Sequence, residues 1–293
     1  MRPRERLREL IATPGCHVVP PIFDPLSARI AEMVGWEACK MSGSVGKFAA
    51  LGVPDGVPMA NMTDLAHVIR RITLNIEIPL IVDADDGGGN ALTVRRTIRD
   101  LEAAGASAVE LEDNIVPLHF IEERHAFMIS KEEHVAKLKA AVATRHDPAM
   151  LIVGRTTAMY LLPMDEALDR IRAYSQTGVD ALMLPGLGRL GLSPNPRADI
   201  EAVQNISKLP LFLSGLPNDL VNNEKWLTDN RVVLRFVGQA PYRNAVGAMY
   251  DTLKYMRDGG NGDDLPGASS EIRSELIREA ELREWDETYT TQQ

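Results

Sequence analysis

A chain of 293 residues with 45% hydrophobic and 25% charged content has the make-up of a folded globular protein, and repeated β-α units of this total length ordinarily wrap one core. The formal net charge of −9 excludes a nucleic-acid partner, since no clustered basic surface follows the first eight residues, and no apolar run is long enough to span a membrane. The two cysteines, Cys16 and Cys39, sit in apolar, strand-like surroundings, which suits buried thiols in a reducing cytoplasm with no disulfide expected.

In chain order, residues 1–12 read as a leading helix. Arg2, Arg4, Arg6 and Arg8 are interrupted by Glu5 and Glu9, a solvated face rather than a secretory signal, which needs an apolar stretch after its charges. Eight short apolar runs then read as strands, at 17–23, 38–41, 79–82, 108–111, 151–154, 181–184, 211–213 and 232–237. Helical spacing falls between them at 25–33, 62–74, 91–104, 131–143, 164–177, 197–207 and 240–257. Asp165 opens one of these helices and Gly178 follows its end, while Ser130 with Glu133 forms a capping box. Such a series closes most naturally as a (β/α)8 TIM barrel, with an open doubly wound sheet as the alternative. The whole chain, 1–293, is then one barrel domain. A glycine-rich linker over 258–264 leads to an acidic helix at 268–288, so that 259–293 form a C-terminal linker and helical extension.

Active sites of such barrels form where strands end. Those positions hold Asp24, Ser42-Gly43-Ser44, Asp83-Ala84-Asp85-Asp86, Glu112-Asp113, Arg155-Thr156, Pro185-Gly186, Ser214-Gly215 and Gly238-Gln239. Acidic groups directly after apolar strands are costly to bury unless something cationic meets them. Asp83 and Asp85 alternate on an extended strand end, so both face one side, and with Glu112 they offer hard oxygen ligands suited to Mg2+ or Mn2+ rather than zinc. Arg155 supplies a planar fork for a substrate carboxylate. The competing reading is a structural ion network among these same groups.

Gly87-Gly88-Gly89 lacks the residues of a phosphate loop and reads as a tight turn beside the carboxylates. Ser42 to Gly46 stays open between a carboxylate-holding nest and a plain loop. Among the histidines, His17 and His67 read as structural, His134 and His146 as surface residues, and His119 and His125 lie in a long loop, 114–130, of the kind that forms lids.

The ordered motifs Phe23-Asp24-Pro25-Leu26-Ser27-Ala28-Arg29, Ser42-Gly43-Ser44, Leu51-Gly52-Val53-Pro54-Asp55, Asp83-Ala84-Asp85, Leu111-Glu112-Asp113 and Gly154-Arg155-Thr156 carry a resemblance. Across nearly its whole length the chain resembles the isocitrate lyase/phosphoenolpyruvate mutase superfamily. The resemblance implies a barrel whose last helix swaps between paired subunits, a homo-oligomer built as a dimer of dimers, and Mg2+ that chelates a small 2-oxo dicarboxylate. It makes Asp85 the direct metal ligand, with Asp83, Glu112 and Asp55 in the water-bridged shell. Ser42, Gly43, Ser44, Arg155 and Gln239 become substrate contacts, and Arg155, Asp55 and Gln239 the catalytic set.

Two departures choose a branch. The carbon-carbon lyases carry a cysteine loop after the Glu-Asp pair, where this chain reads Asn114 to His125 without cysteine, and a glutamate where this chain has Gly186. Pro117-Leu118-His119-Phe120 instead resembles the bacterial oxaloacetate decarboxylase branch, which implies Mg2+-dependent loss of CO2 from oxaloacetate to give pyruvate through a metal-stabilised enolate. Against that branch, Asp86, Gly88 and Gln239 depart from its pattern, and glutamine cannot shuttle a proton. A lyase for a substituted malate, phosphonopyruvate chemistry, or an idle 2-oxo acid or metal binder are the alternatives.

Overall fold

The computed structural model describes residues 1–54, 59–116, 128–186 and 195–290. Helix α1 (Pro3–Ala12) precedes a first stave in two parts, β1 (His17–Val19) and β2 (Pro21–Ile22), followed by α2 (Pro25–Met33), β3 (Cys39–Met41), α3 (Gly43–Leu51) and α4 (Met62–Thr73). Next come β4 (Leu80–Asp83), α5 (Ala91–Ala103), β5 (Ala108–Glu112), α6 (Lys131–Thr144), β6 (Leu151–Arg155), α7 (Ala158–Leu161), α8 (Met164–Ser175) and β7 (Ala181–Leu184). The chain continues through α9 (Pro196–Ile206), β8 (Leu211–Ser214), α10 (Asn218–Val221), α11 (Glu224–Asp229), β9 (Val232–Phe236), α12 (Ala240–Arg257), α13 (Ser270–Leu276) and α14 (Glu279–Tyr289).

Every strand pairing is parallel, in the order β1-β9-β8-β7-β6-β5-β4-β3-β2. Because β1 and β2 are halves of one extended run, the ends of that series meet and the sheet closes as a (β/α)8 barrel. The first stave changes partner at Pro20-Pro21, which has no N–H to donate. His17 to Val19 pair with β9, and Pro21 with Ile22 pair with β3.

Two apolar layers hold this shape. Val19, Ile81, Val153, Met183, Phe212 and Leu234 fill the barrel interior, and Leu7 and Leu10 of α1 belong to the same cluster and plug its floor. A larger cluster packs the outer strand faces against helices, with Ile69, Ile98, Leu138 and Ile171 fully buried. The alternation within strands is the expected period of two. Local chemistry sets the helix starts. The Asp24 carboxylate accepts from Ser27 N at 2.7 Å with Pro25 at the first helical position; Asn61, Asn90 and Ser130 cap α4, α5 and α6 through their side chains.

Several expectations need correction. Ser42 to Gly46 is not a plain loop but the start of α3, a helix that a glycine- and serine-rich stretch conceals. Asp85 is not on an extended strand end: its φ of 46° is left-handed, a conformation that aspartate tolerates better than most residues. His134 is fully buried rather than a surface residue, stacked edge-on to Tyr174 at 4.6 Å between ring centroids. The trailing helix is broken in two at Arg278, whose φ is 54°. Barrel contacts hold that break in place, since Arg29 donates to the Glu275 and Leu276 carbonyls, each at 3.2 Å, and Arg278 donates to Asn75 O.

Cys39 is a buried free thiol, whereas Cys16, expected to be buried, is only partly so. Among the described residues no helix is long and apolar enough to cross a membrane.

Candidate active site

The chain turns sharply after β4, and that turn organises the mouth of the barrel. Ala84 N donates to Glu110 O at 3.0 Å and Glu112 N to Asp85 O at 2.8 Å, so the β4 turn is pinned to β5. Gly87 has φ 75°, and a Cβ there would lie 2.7 Å from Val94 Cγ2 and 2.9 Å from Leu111 Cδ2, so glycine is required. The tight-turn reading of Gly87 to Gly89 therefore holds.

The start of α3 presses against this turn. A Cβ on Gly43 would sit 2.6 Å from Asp85 Oδ1 and 3.5 Å from Asp83 Cγ, so glycine lets the helix start meet both carboxylates. The amides of Gly43 and Ser44 belong to the first turn of α3, where N–H groups lack intrahelical partners and anions are favoured. Ser42 Oγ and Ser44 Oγ are 3.2 Å apart, and Gln239 Nε2, from the start of α12, donates to Ser44 Oγ at 3.0 Å. Ser44 and Gln239, 195 positions apart, are thus brought together.

Arg155 is held by acids rather than left open. It donates through Nη1 to Asp83, its Nε lies 2.8 Å from Glu112 Oε2 off the hydrogen-bond direction, and Nη1 lies 3.6 Å from Glu110 Oε2. Burial opposes charge on Asp83, but Arg155 and Lys40 outweigh it and hold the carboxyl below its usual range. Glu112 goes the other way. Burial raises it, Arg155 only partly compensates, and the negative charges of Asp83 and Asp85 add to the rise. Carboxylates here outnumber their cations.

Three participants were not anticipated. Lys40 is buried, projects into the barrel, pairs with fully buried Glu110 and lies 4.1 Å from the centre of the Phe236 ring. Lys47 of α3 is also buried, and its Nζ donates to Asp85 Oδ2 at 2.7 Å. A signal was available for the strand pair, since a lysine in Cys39-Lys40-Met41 and a glutamate in Val109-Glu110-Leu111 are charges in buried strands and each needs a partner.

Several candidate residues line two cavities, one that includes Asp83 and one that includes Asp85 and Glu112. One, of about 500 Å3 over the barrel mouth, is lined by Lys40, Ser42, Asp83, Arg155, Ser214 and Gln239. The other, of about 670 Å3, lies on the α4 and α5 side and is lined by Lys47, Asp85, Asp86, Gly88, Glu112 and Asn114. Asp55 lies outside the described residues, as do Pro117 to Phe120, His119 and His125. Asp113, next to Glu112, turns away from both cavities. Its Oδ2 accepts from Thr156 Oγ1 and from the Tyr174 hydroxyl, each at 2.8 Å, with Arg170 Nη1 at 3.5 Å.

Asp83, Asp85 and Glu112 provide hard oxygen donors, crowded enough that burial and mutual repulsion push Glu112 toward its neutral form, so their chemistry fits a divalent cation. Among the described residues no three His, Cys, Asp or Glu side chains are already arranged around a metal position; Asp85 is closed on Lys47, and Asp83 and Glu112 on Arg155.

Comparison with known proteins places the chain. Residues 7–257 match the phosphoenolpyruvate phosphomutase family. An oxaloacetate decarboxylase of Bradyrhizobium diazoefficiens is 41% identical over 96% of this chain and 94% of its own. One from Paraburkholderia xenovorans is 37% identical over 98% and 93%. A solved phosphonopyruvate hydrolase in complex with oxalate and Mg2+ superposes with a TM-score of 0.84 at 28% identity, covering 99% of this chain and 100% of that one. The chain belongs to the phosphoenolpyruvate phosphomutase family, within the superfamily that its motifs resemble.

Proposed function

We propose that this phosphomutase-family chain is a carboxy-lyase that converts oxaloacetate, or a close 2-oxo dicarboxylate, to pyruvate and CO2. The observation that carries the reading is one cavity at the strand ends that joins Arg155, hydroxyls and further cations, as a small dicarboxylate requires. Arg155, Ser42 and Gln239 line the same space as Met183, Leu213 and Phe236. Arg155 and the hydroxyls suit the C1 carboxylate and C2 carbonyl, and Lys40, Arg235 and Arg243 on the same walls add positive charge suited to a second carboxylate. The similarity to oxaloacetate decarboxylases over nearly the full chain supports the same choice.

Arg155 exchanges part of its contact with Asp83 and Glu112 for the substrate carboxylate, aided by the first amides of α3 and by the Ser42 and Ser44 hydroxyls. Gln239, already on Ser44, donates a hydrogen bond that orients the substrate without moving a proton. Asp85 would hold Mg2+ or Mn2+, with Asp83, Glu112 and Asp55 around it. Bound there, the cation would supply an electrophile for the C2 oxygen; loss of CO2 breaks the C3–C4 bond, its electron pair passes to the enolate, and C3 takes up one proton to give pyruvate.

No thiol acid or base is needed, in keeping with the placement of both cysteines. Cys39 lies among the buried outer-layer residues with its thiol pushed up by burial, and burial raises Cys16 to about 11. A carbon-carbon lyase that requires a reactive thiol does not fit those positions.

We assign the chain to one barrel domain, 1–293, in the cytoplasm, and to a homo-oligomer in which α12 is covered by another subunit, as in a dimer of dimers with exchanged helices. Helix α12 has no buried residue, and Met249, Tyr250 and Leu253 are 60%, 66% and 62% exposed. Light scattering on the purified protein tests this, and a monomer at micromolar concentration would exclude it.

The activity is tested by following pyruvate from oxaloacetate with Mg2+, beside 2-alkylmalates and phosphonopyruvate. Faster turnover of either alternative displaces the decarboxylase reading. Oxalate binding without any turnover replaces it with that of a 2-oxo acid binder.

A further inference from the structure

We propose that Lys47 is a built-in counter-ion of the cation site, which occupies Asp85 until a divalent cation displaces it and thereby sets how tightly that cation binds. The inference rests on the metal reading above.

The two oxygens of Asp85 meet one face of α3. Oδ1 lies where a Cβ on Gly43 would be 2.6 Å away, and Oδ2 accepts from Lys47 Nζ at 2.7 Å. Gly43 and Lys47 are four residues apart, one helical turn, so the close approach that glycine permits also delivers the ammonium to the carboxylate. Lys47 is 5% exposed, a burial that lysine tolerates only with a charge partner. This contact is therefore a built feature of the site.

At the cluster, the carboxyls of Asp83, Asp85 and Glu112 face Arg155 and Lys47 among the described residues, with Glu112 pushed toward its neutral form. A divalent cation at Asp85 would stand within a few ångströms of the ammonium, and in a buried site that repulsion is strong. The ammonium must therefore move, and its four-carbon stem is flexible. There is room beside it. Lys47 and Asp85 both line the 670 Å3 cavity, whose walls include Asp64, Asp86 and Asp100 as well as Arg96, so a displaced ammonium stays among carboxylates. Asp86 acquires a role as a landing place rather than as a fourth cation ligand.

Titration of Mn2+ into the full-length protein by calorimetry, without substrate, tests the proposal with wild type, K47M, K47Q and D85N, each checked for folding by thermal melting. Both lysine variants are expected to bind Mn2+ at least tenfold more tightly than wild type, and D85N to lose binding. If D85N loses binding but neither lysine variant gains affinity, Lys47 is a structural strut and the proposal fails while the cation site stands. If none of the four proteins takes up Mn2+, the cation site and the counter-ion fail together. Pyruvate formation from oxaloacetate, followed separately, decides the reaction itself.

Discussion

Glu112 and Asp113 stand side by side at the end of β5, yet one faces the mouth of the barrel and the other the helices behind it. Glu112 shares Arg155 with Asp83 and Glu110, and is raised by burial with Asp83 and Asp85 adding to the rise. Asp113 is also raised by burial, but hydroxyl donors and one arginine serve a single acid there, joining β5 to the residue after β6 and to α8. A crowd of carboxylates short of cations suits the cation and substrate proposed for it. A lone carboxylate ringed by fixed donors is a clamp.

The sharpest way to break this contrast is Asp85→Asn, which leaves an oxygen acceptor for Lys47 and should lower the rate of pyruvate formation by about a thousandfold in the folded fraction. Equal rates would remove the mouth's chemical role. Asp113→Ala should do the reverse. It strands the Thr156 and Tyr174 hydroxyls and Arg170, so unfolding in urea should show a loss of about 3 kcal/mol with kcat/KM nearly intact in the folded fraction.

His134 extends the clamp. It is fully buried against Tyr174, neither ring nitrogen has a partner among the described residues, and burial first, then Lys137 and Arg170, lowers its pKa to about 3. Above the ordinary histidine pKa of 6.5 both folded and unfolded states carry a neutral ring. Below it the unfolded chain takes up a proton that the folded ring refuses until about pH 3, so stability falls as pH falls through that window. Urea unfolding at pH 5 should show about 2 kcal/mol less stability than at pH 7 from this residue, and His134→Phe should lack that component. The smallest effect is expected of Tyr174→Phe, about 1 kcal/mol by the same melts, because Thr156 and Arg170 remain on Asp113.

The barrel was legible because its signals are local. A β-branched or leucine-rich run such as Leu151-Ile152-Val153 has one use in a chain of this rhythm, and Asp24, Asn61, Asn90 and Ser130 mark helix starts through bonds that span three residues. The start of α3 was less legible. Glycine and serine, which lower helix propensity, stand at its first two positions, the glycine because Asp85 leaves no space for a Cβ. His134 was misjudged for a related reason. Helix α6 has weak segregation of polar and apolar residues, so its buried face, which includes His134 and Lys137, does not stand out.

By itself the sequence determined the parallel barrel, the starts of its side-chain-capped helices and the cluster of acids with one arginine at the strand ends, because period, capping and strand-end position are properties of neighbouring residues. Only the tertiary structure decided which charges face one another: Lys40 with Glu110 across the barrel, Arg155 among Asp83, Glu110 and Glu112, and Lys47 on Asp85. Those pairings link residues 38 to 72 positions apart, and the energy of each depends on distance and on exclusion from water, which exist only once the strands have closed.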